Sequence, residues 1–218
     1  MSTLETTGTT HQERVRRSAS DSPIGRFLKL LEIYPAERIL IFGCGNSYLA
    51  SLTSQYFEGS SVLGYDHNPD KIKTITDKKR RYPGRADYAR YTCNKPQDKF
   101  DAVIAHAVLH HNPEQTTREV FGLTKQGGIV AVLDYDLQGL SEKEFLRIWG
   151  TNRGEIIELA TLGNQETYRM HTSFGLEQCR TMMEQLGMTT LHAQGNILAH
   201  FRTPTKHFIY IGQKQPGQ

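Results

Sequence analysis

The sequence has few cysteines, no long apolar run and no large excess of one charge. Its three cysteines, Cys44, Cys93 and Cys179, are an odd number and lack the close spacing of a metal site. We therefore expect reduced thiols in a cytoplasmic protein. No apolar run approaches the roughly 20 residues of a membrane helix, and the first residues lack the apolar segment of a secretory signal. The 26 Lys and Arg residues against 23 Asp and Glu are too balanced to predict nucleic-acid binding by themselves.

The length and the distribution of apolar residues predict a polar tail followed by one domain. Residues 1–22 are rich in Ser and Thr, and their large aliphatic residues are only Leu4 and Val15. Such a segment buries too little apolar area to offset its ordering entropy, so we expect disorder there. The remaining residues, 23–213, fit a single domain of ordinary size.

Short apolar runs alternate with helical patterns through most of this domain. Such alternation predicts an α/β fold with a doubly wound, mostly parallel sheet. Two later strand-like runs, about 189–193 and 207–211, predict a C-terminal antiparallel hairpin and bring the sheet to seven strands. The five earlier strands are predicted at 39–42, 61–65, 89–93, within 100–108 and at 129–136.

The stretch RILIFGCGNSYLA, residues 38–50, predicts a strand, a glycine turn and a helix. Gly43 and Gly45 let the backbone approach a ligand, and the following helix directs free N–H groups toward it. A dinucleotide fingerprint needs a third small residue, and Tyr48 stands at that position, which argues against a nicotinamide or flavin dinucleotide. Asp66 ends the next strand about 20 residues later, the spacing of a carboxylate that binds an adenosine ribose. Asn68, before Pro69, is the better candidate for the helix cap, which leaves Asp66 for the ligand.

Four segments, in the same order, resemble the class I S-adenosylmethionine-dependent methyltransferases. They are ERILIFGCGNS, GYDHNP, KFDAVIAHAVLHHNPE and LTKQGGIVAVLDYD, which together span about residues 37–136. The later HTSFGLEQCRTMMEQLGM resembles the final helix of this family. The resemblance implies a Rossmann-like methyltransferase fold with S-adenosyl-L-methionine as cofactor and S-adenosyl-L-homocysteine as product.

The same resemblance implies where the cofactor lies. The backbone of 43–47 passes under the methionine part, Asp66 binds the ribose and His67 lies beside the adenine. The stretch 91–94 meets the adenine edge, and the end of the fourth strand faces the sulfonium. The cofactor-binding residues expected from it are Gly43, Cys44, Gly45, Asn46, Asp66, His67, Thr92, Cys93, Ala105 and His106.

Two positions depart from the family pattern. The family commonly has Asp or Glu two residues before the first glycine, where this chain has Ile41. The third glycine of the family turn is Ser47. A non-catalytic relative that binds the cofactor and works through partners is the alternative that these departures leave open.

The expected reaction is an in-line displacement, in which the enzyme aligns the donor with an N, O, S or C nucleophile and excludes water. The candidates for acid–base or contact roles are His106, His110 and Tyr135. His106 and His110 are spaced by four, so on a helix they would share a face and with Asp134 would imitate a metal site. The sequence offers no further anchored ligand, so we expect no metal.

The acceptor is expected to be a small molecule, with RNA or protein as alternatives. Residues 137–173 fall where the family places substrate-recognition inserts, which predicts a lid. The basic run DKKRRYPGR, residues 77–85, suits the negative end of a helix dipole, or else an RNA contact. The oligomeric state is left open.

Overall fold

A computed structural model describes residues 22–45, 49–78, 86–90, 99–149, 163–200 and 203–217. Of the predicted tail, residues 1–22, all but Ser22 lie outside these ranges. So do three predicted cofactor contacts, Asn46, Thr92 and Cys93, and most of the basic run. None of the helices in the described ranges has both the length and the apolar character needed to cross a bilayer.

Helices and strands alternate as the apolar pattern predicts. The helices are α1 (Pro23–Leu31), α2 (Leu49–Tyr56), α3 (Pro69–Lys78), α4 (Pro113–Leu123), α5 (Glu142–Trp149), α6 (Asn164–Ser173) and α7 (Leu176–Gln185). The strands are β1 (Arg38–Phe42), β2 (Ser61–Asp66), β3 (Asp87–Arg90), β4 (Phe100–His106), β5 (Thr124–Tyr135), β6 (Met188–His200) and β7 (Thr203–Lys214). A short 3-10 turn, Leu109–His111, follows β4.

The sheet confirms the predicted fold class. Its seven strands have the order β3-β2-β1-β4-β5-β7-β6. Strands β1 to β5 pair in parallel, and β7 pairs antiparallel with both β5 and β6. The strand order reverses between β1 and β4, so a ligand site is expected at the carboxyl ends of these strands.

Both faces of the sheet are covered by helices. We call the side under α1 and α2 the α1 face; Ile41, Ile104 and Leu133 pack there with Phe27 and Leu49. The opposite side packs against α4 and α7. Because side chains alternate along each strand, neighbouring strand residues supply opposite faces.

The structure corrects several predicted boundaries. β6 and β7 are longer than the short runs expected, and β3 begins earlier, at Asp87. β5 begins at Thr124 and continues through the Gly127–Gly128 pair, with a register irregularity opposite β4. Within the predicted lid, the polar stretch at 164–173 forms α6. The differences in the strands arise because strand pairing supports residues that the local apolar pattern does not mark.

Asp101 fastens the amino ends of β1 and β5 to β4. Its Oδ2 accepts the N–H groups of Glu37 at 3.1 Å and Arg38 at 2.8 Å. Its Oδ1 lies 2.7 Å from Nζ of Lys125. Burial favours a higher pKa for Asp101, but the Lys125 hydrogen bond and the Arg38 N–H outweigh it and lower the pKa below 3.8.

We predict that Asp101→Ala lowers the free energy of unfolding by about 1–3 kcal/mol, because two main-chain donors lose a charged acceptor. The lowered pKa also means that this stabilisation is present above the unfolded-state value near 3.9 and is lost as the pH falls below it. Urea unfolding at pH 7 and at low pH measures both effects. The exposed Glu58→Ala is the control and should change little; an equal loss in the two variants would contradict this role of Asp101.

Candidate functional site

The glycine turn after β1 has the backbone that the sequence predicts. Gly43 has φ of +67° and Gly45 has φ of +51°, both in the left-handed region that favours glycine. A Cβ at Gly43 would lie 2.7 Å from Cγ2 of Val108. The loops after β1 and β4 therefore touch at this point, and only glycine fits the contact.

Asp66 closes this turn from the end of β2. Its carboxylate is only 3% exposed. Oδ2 accepts the N–H of Gly45 at 2.8 Å, and Oδ1 accepts the N–H of Asn68 at 2.8 Å. Asn68 caps α3 as expected, since its Oδ1 accepts the N–H of Asp70 at 2.9 Å. Asp66 does not serve a ligand alone, because its carboxylate already accepts two main-chain hydrogen bonds. The acceptor sites that remain on the carboxylate can receive hydrogen bonds from ligand hydroxyls.

Two other cofactor candidates, Cys44 and His67, lie close to this carboxylate. Cys44 is buried, and its N–H donates to the carbonyl of Tyr65 at 2.8 Å. Burial, followed by the charge of Asp66, raises the pKa of the Cys44 thiol to about 12, so this residue contributes backbone and bulk rather than a thiolate. His67 is 81% exposed with Nδ1 3.8 Å from Oδ1 of Asp66. Ala105 is fully buried near the end of β4.

Ile41 is fully buried on the α1 face. It pairs in register with Gly64 on one side and Ile104 on the other. The position where the family commonly has a carboxylate is therefore part of the apolar core in this chain.

A second buried carboxylate, Asp134, lies near the end of β5. Its Oδ2 accepts the N–H groups of Val108 at 3.1 Å and Leu109 at 2.9 Å. Its Oδ1 accepts the N–H of Tyr135 at 2.7 Å and lies 2.6 Å from Nδ1 of His110. Burial alone would raise the pKa of Asp134, yet His110 and the N–H groups lower it to about 2.

His106 ends β4 at the point where the strand order reverses. The next residue, Ala107, has φ of +50°, a strained value for a residue with a Cβ. Burial lowers the pKa of His106 below 6.5, and His110 lowers it further against the opposing charge of Asp134. The imidazole is therefore neutral at pH 7 and offers an unprotonated nitrogen.

His110 and Tyr135 lie in an aromatic cluster with side chains of the predicted lid. The ring centroid of His110 is 5.2 Å from Tyr135 and 4.3 Å from His171 of α6. Trp149 of α5 is 4.1 Å from His171 and 4.9 Å from Tyr135. Helices α5 and α6 thus pack onto the carboxyl edge of the sheet, where the predicted lid was expected.

His207 belongs to the site but was not among the predicted residues. It is paired with Tyr135 across the β5–β7 register, and the two rings are 5.0 Å apart. Burial lowers the pKa of His207 to about 4, His106 lowers it further, and Asp134 opposes both. Finding it from sequence would require the register of the antiparallel pair, which no local motif encodes.

The structure gives no support to the metal alternative. His106 lies on a strand and His110 on a 3-10 turn, so they do not share a helix face. Of these two histidines, His110 is the one that forms a direct hydrogen bond with Asp134. Among the described residues, no group of three His, Cys, Asp or Glu side chains is arranged to hold a metal ion.

We predict that His207 makes the protein less stable in mild acid. The folded pKa of about 4 lies below the unfolded value near 6.5. Protonation of His207 therefore leaves the free energy of unfolding unchanged above pH 6.5 and lowers it as the pH drops toward 4. The loss is about 3 kcal/mol at most, since each pKa unit is worth about 1.4 kcal/mol. His207→Gln should flatten this dependence in urea unfolding between pH 7 and 4.

The control is His67→Gln, because His67 is largely exposed and should keep the full slope of the unmodified protein. If the unmodified protein and His207→Gln lose stability with the same slope, burial of the His207 imidazole is not the cause.

A family model described as a methyltransferase domain matches residues 40–130. The solved magnesium protoporphyrin IX methyltransferase of Synechocystis PCC 6803, with bound S-adenosylhomocysteine, is 13% identical, with a TM-score of 0.61 over 95% of this chain and 89% of that one. The YcgJ protein of Bacillus subtilis is 15% identical, with a TM-score of 0.58 over 89% of this chain and 98% of that one. An O-methyltransferase family protein of Burkholderia thailandensis is 12% identical, with a TM-score of 0.59 over 95% of this chain and 62% of that one. No curated protein sequence gives a match.

At these identities the solved structures establish the fold, and the family model adds the methyltransferase domain over residues 40–130. These findings agree with the glycine turn, the carboxylate at the end of β2 and the order of the strands. The chain therefore has the fold of the class I S-adenosylmethionine-dependent methyltransferases, and its residues 40–130 match a methyltransferase domain.

Proposed function

We propose that the chain transfers a methyl group from S-adenosylmethionine to an N, O, S or C nucleophile of a small molecule by in-line displacement. The observation that carries the proposal is the position of His106, a neutral imidazole at the carboxyl end of β4, one loop away from the glycine turn. Relatives of the same fold support a small acceptor, since one of them is a magnesium protoporphyrin IX methyltransferase.

The residues at the ends of β1 and β2 fit the proposed cofactor. Gly43 and Gly45 hold a left-handed turn that brings the backbone close to a ligand. Asp66 keeps acceptor sites beyond its two main-chain hydrogen bonds, enough for the two ribose hydroxyls. The bound cofactor supplies a methyl group that its sulfonium has already activated, so no protein nucleophile is needed.

In the proposal, His106 accepts a proton from the acceptor where the nucleophile carries one. Its lowered pKa keeps Nδ1 or Nε2 unprotonated at neutral pH, as a general base requires. Tyr135 and His207, whose rings are 5.0 Å apart, would line the acceptor side. Their apolar edges help to exclude water from the reacting atoms.

We assign His110 a positioning role. Its Nδ1 lies 2.6 Å from a buried carboxylate, and its side chain is 2% exposed. Asp134 therefore orients the His110 ring, and through the N–H groups of Val108 and Leu109 it also fixes the loop that follows His106. Helices α5 and α6, which contact His110 and Tyr135 through Trp149 and His171, would serve as the lid over this edge.

Ile41 favours a second candidate, a non-catalytic module that binds S-adenosylmethionine. A buried isoleucine contributes no polar group to the methionine end of the cofactor. Such a module would bind the cofactor and its product without transferring the methyl group. The RNA alternative depends on the basic run at 77–85, of which residues 79–85 lie outside the described residues.

We predict that Asp66→Ala weakens binding of S-adenosylhomocysteine about 10- to 100-fold. The reason is the loss of charged hydrogen bonds to the ribose, which are worth about 1.5–3 kcal/mol. Isothermal titration calorimetry measures the affinity. The 2′-deoxy analogue of S-adenosylhomocysteine separates recognition of the ribose from the anchoring of Gly45. The unmodified protein should bind this analogue more weakly than S-adenosylhomocysteine itself. Asp66→Ala should bind the two compounds with equal affinity.

The matched control is Asp70→Ala, because Asp70 lies exposed in the first turn of α3 near the same site. Its affinity should stay unchanged. Equal affinities of the unmodified protein and Asp66→Ala would contradict the assignment of the ribose to Asp66.

We further predict methyl transfer from tritiated S-adenosylmethionine to the small-molecule fraction of a cell extract. For an acceptor that must lose a proton, kcat/KM should fall as the pH drops through a pKa below 6.5, since His106 then becomes protonated. His106→Asn should lower kcat at least tenfold and remove this limb of the pH profile, while binding of S-adenosylhomocysteine stays within a few-fold.

Labelling of the RNA or protein fraction instead would contradict the small-molecule proposal and favour the corresponding alternative. Calorimetric binding of both ligands with no labelled product in any fraction would favour the non-catalytic module. An unchanged pH profile in His106→Asn would remove the base role from His106.

A further inference from the structure

Beside the face that it buries in the core, helix α1 has a stripe of exposed and half-buried side chains. Phe27, Leu28 and Leu31 are buried, at 0%, 0% and 4% exposure. Counted from Arg26, the next members of the stripe follow after three, four and seven residues, at Lys29, Leu30 and Ile33. They therefore lie along one side of the helix and just past its end. Ile33 is 72% exposed, which is unusual for so large an apolar side chain.

This stripe forms one wall of a cavity. The opposite wall consists of Gln194 and Ile197 of β6 and Ile209 of β7, and the volume is about 360 Å³. Pockets for small molecules commonly span about 300–1,000 Å³ and are mostly apolar with a few polar groups. The cavity therefore has the size and character of a binding site for a small molecule.

The sheet wall of the cavity lies on the same face of the sheet as His106 and Tyr135. In register, His106 pairs with Leu133, and Leu133 pairs with Ile209. Since paired residues on neighbouring strands lie on the same face, Ile209 is two strands from His106, roughly 10 Å at the usual strand spacing.

A second set of paired residues, two positions further along β5, also leads to a residue that lines the cavity. Tyr135 pairs with His207, which pairs with Ile197 on β6. A molecule in the cavity thus lies one strand from His207 and two strands from the end of β4.

The charges at the cavity are all positive. Arg26 and Lys29 stand on its helical wall, and none of its lining residues is acidic. Within the described part of the chain, neither cation forms a salt bridge. An apolar cavity with two cations on one wall fits a ligand with an apolar body and one anionic group.

We propose that this cavity binds the apolar body of an anionic methyl acceptor, with its carboxylate or similar group at Arg26 and Lys29 and its nucleophile directed along the sheet toward His207 and His106. The inference rests on the proposed function, because it names the substrate class of the same reaction. It makes Arg26, Lys29 and the isoleucines of the cavity determinants of specificity.

Isoleucine-methyl NMR of the full chain tests the binding directly, with octanoate as the probe. Octanoate should shift the methyl signals of Ile33, Ile197 and Ile209 saturably and leave the signal of Ile72, on α3, unchanged. Octylammonium, with the same chain and the opposite charge, should leave all four unchanged at equal concentration. The double variant Arg26→Glu/Lys29→Glu should weaken octanoate binding at least tenfold, whereas Arg118→Glu, an exposed charge reversal on α4, should not.

Several results would overturn the proposal: no saturable shift at millimolar octanoate, equal binding of octylammonium, or binding that survives the double charge reversal. Sedimentation with anionic lipid vesicles in place of saturable octanoate binding would assign the patch to a membrane surface and would also overturn it.

The same sample distinguishes this inference from the proposed function. If S-adenosylhomocysteine binds and octanoate does not, the acceptor cavity fails alone. If octanoate binds and S-adenosylhomocysteine does not, the proposed function fails, and the acceptor role falls with it. When the extract is separated by charge, the labelled product should arise from the apolar anionic fraction and decrease at least tenfold with Arg26→Glu/Lys29→Glu; an acceptor in the cationic fraction would contradict the proposal.

Discussion

Two buried carboxylates hold the loops on either side of the point where the strand order reverses. Asp66, at the end of β2, fixes Gly45 in the loop after β1, and Asp134, near the end of β5, fixes Val108 and Leu109 in the loop after β4. Each carboxylate thus reaches across to the loop of the neighbouring strand, and the two loops touch where Gly43 faces Val108. Because main-chain donors already hold both carboxylates in place, the edge of the sheet is shaped before any ligand arrives.

Asp134 also connects this edge to the elements that cover it. Its hydrogen bond orients His110, whose ring packs on His171 of α6, and His171 in turn packs on Trp149 of α5. Packed rings and short hydrogen bonds therefore connect these two helices, the proposed lid, to the loop after His106. The cavity beside α1 is a separate feature, and its wall is related to His106 through the register pairing of Ile209 with Leu133 and of Leu133 with His106.

The conformation of the glycine turn and the position of Asp66 were more predictable from sequence than the proposed acceptor side, for a physical reason. The turn depends on the backbone geometry of Gly43 and Gly45 and on the single side chain of Asp66. Such features leave a local sequence pattern that can be recognised. Asp66 as an anchor of Gly45 was not foreseen, because that contact joins two strands. His207 and the cavity beside α1 depend on the register of β7 against β5 and β6, and register is decided by pairing over the whole sheet rather than by neighbouring residues.

The central claim is that the turn after β1 and the carboxylate at the end of β2 form one cofactor site that faces His106. A crystal structure of the chain with S-adenosylhomocysteine tests this most directly. We predict ribose hydroxyls within about 2.6–3.2 Å of the Asp66 carboxylate, the homocysteine part along Gly43 and Gly45, and the sulfur directed toward His106. A ribose bound away from Asp66, or a sulfur directed away from the end of β4, would contradict it.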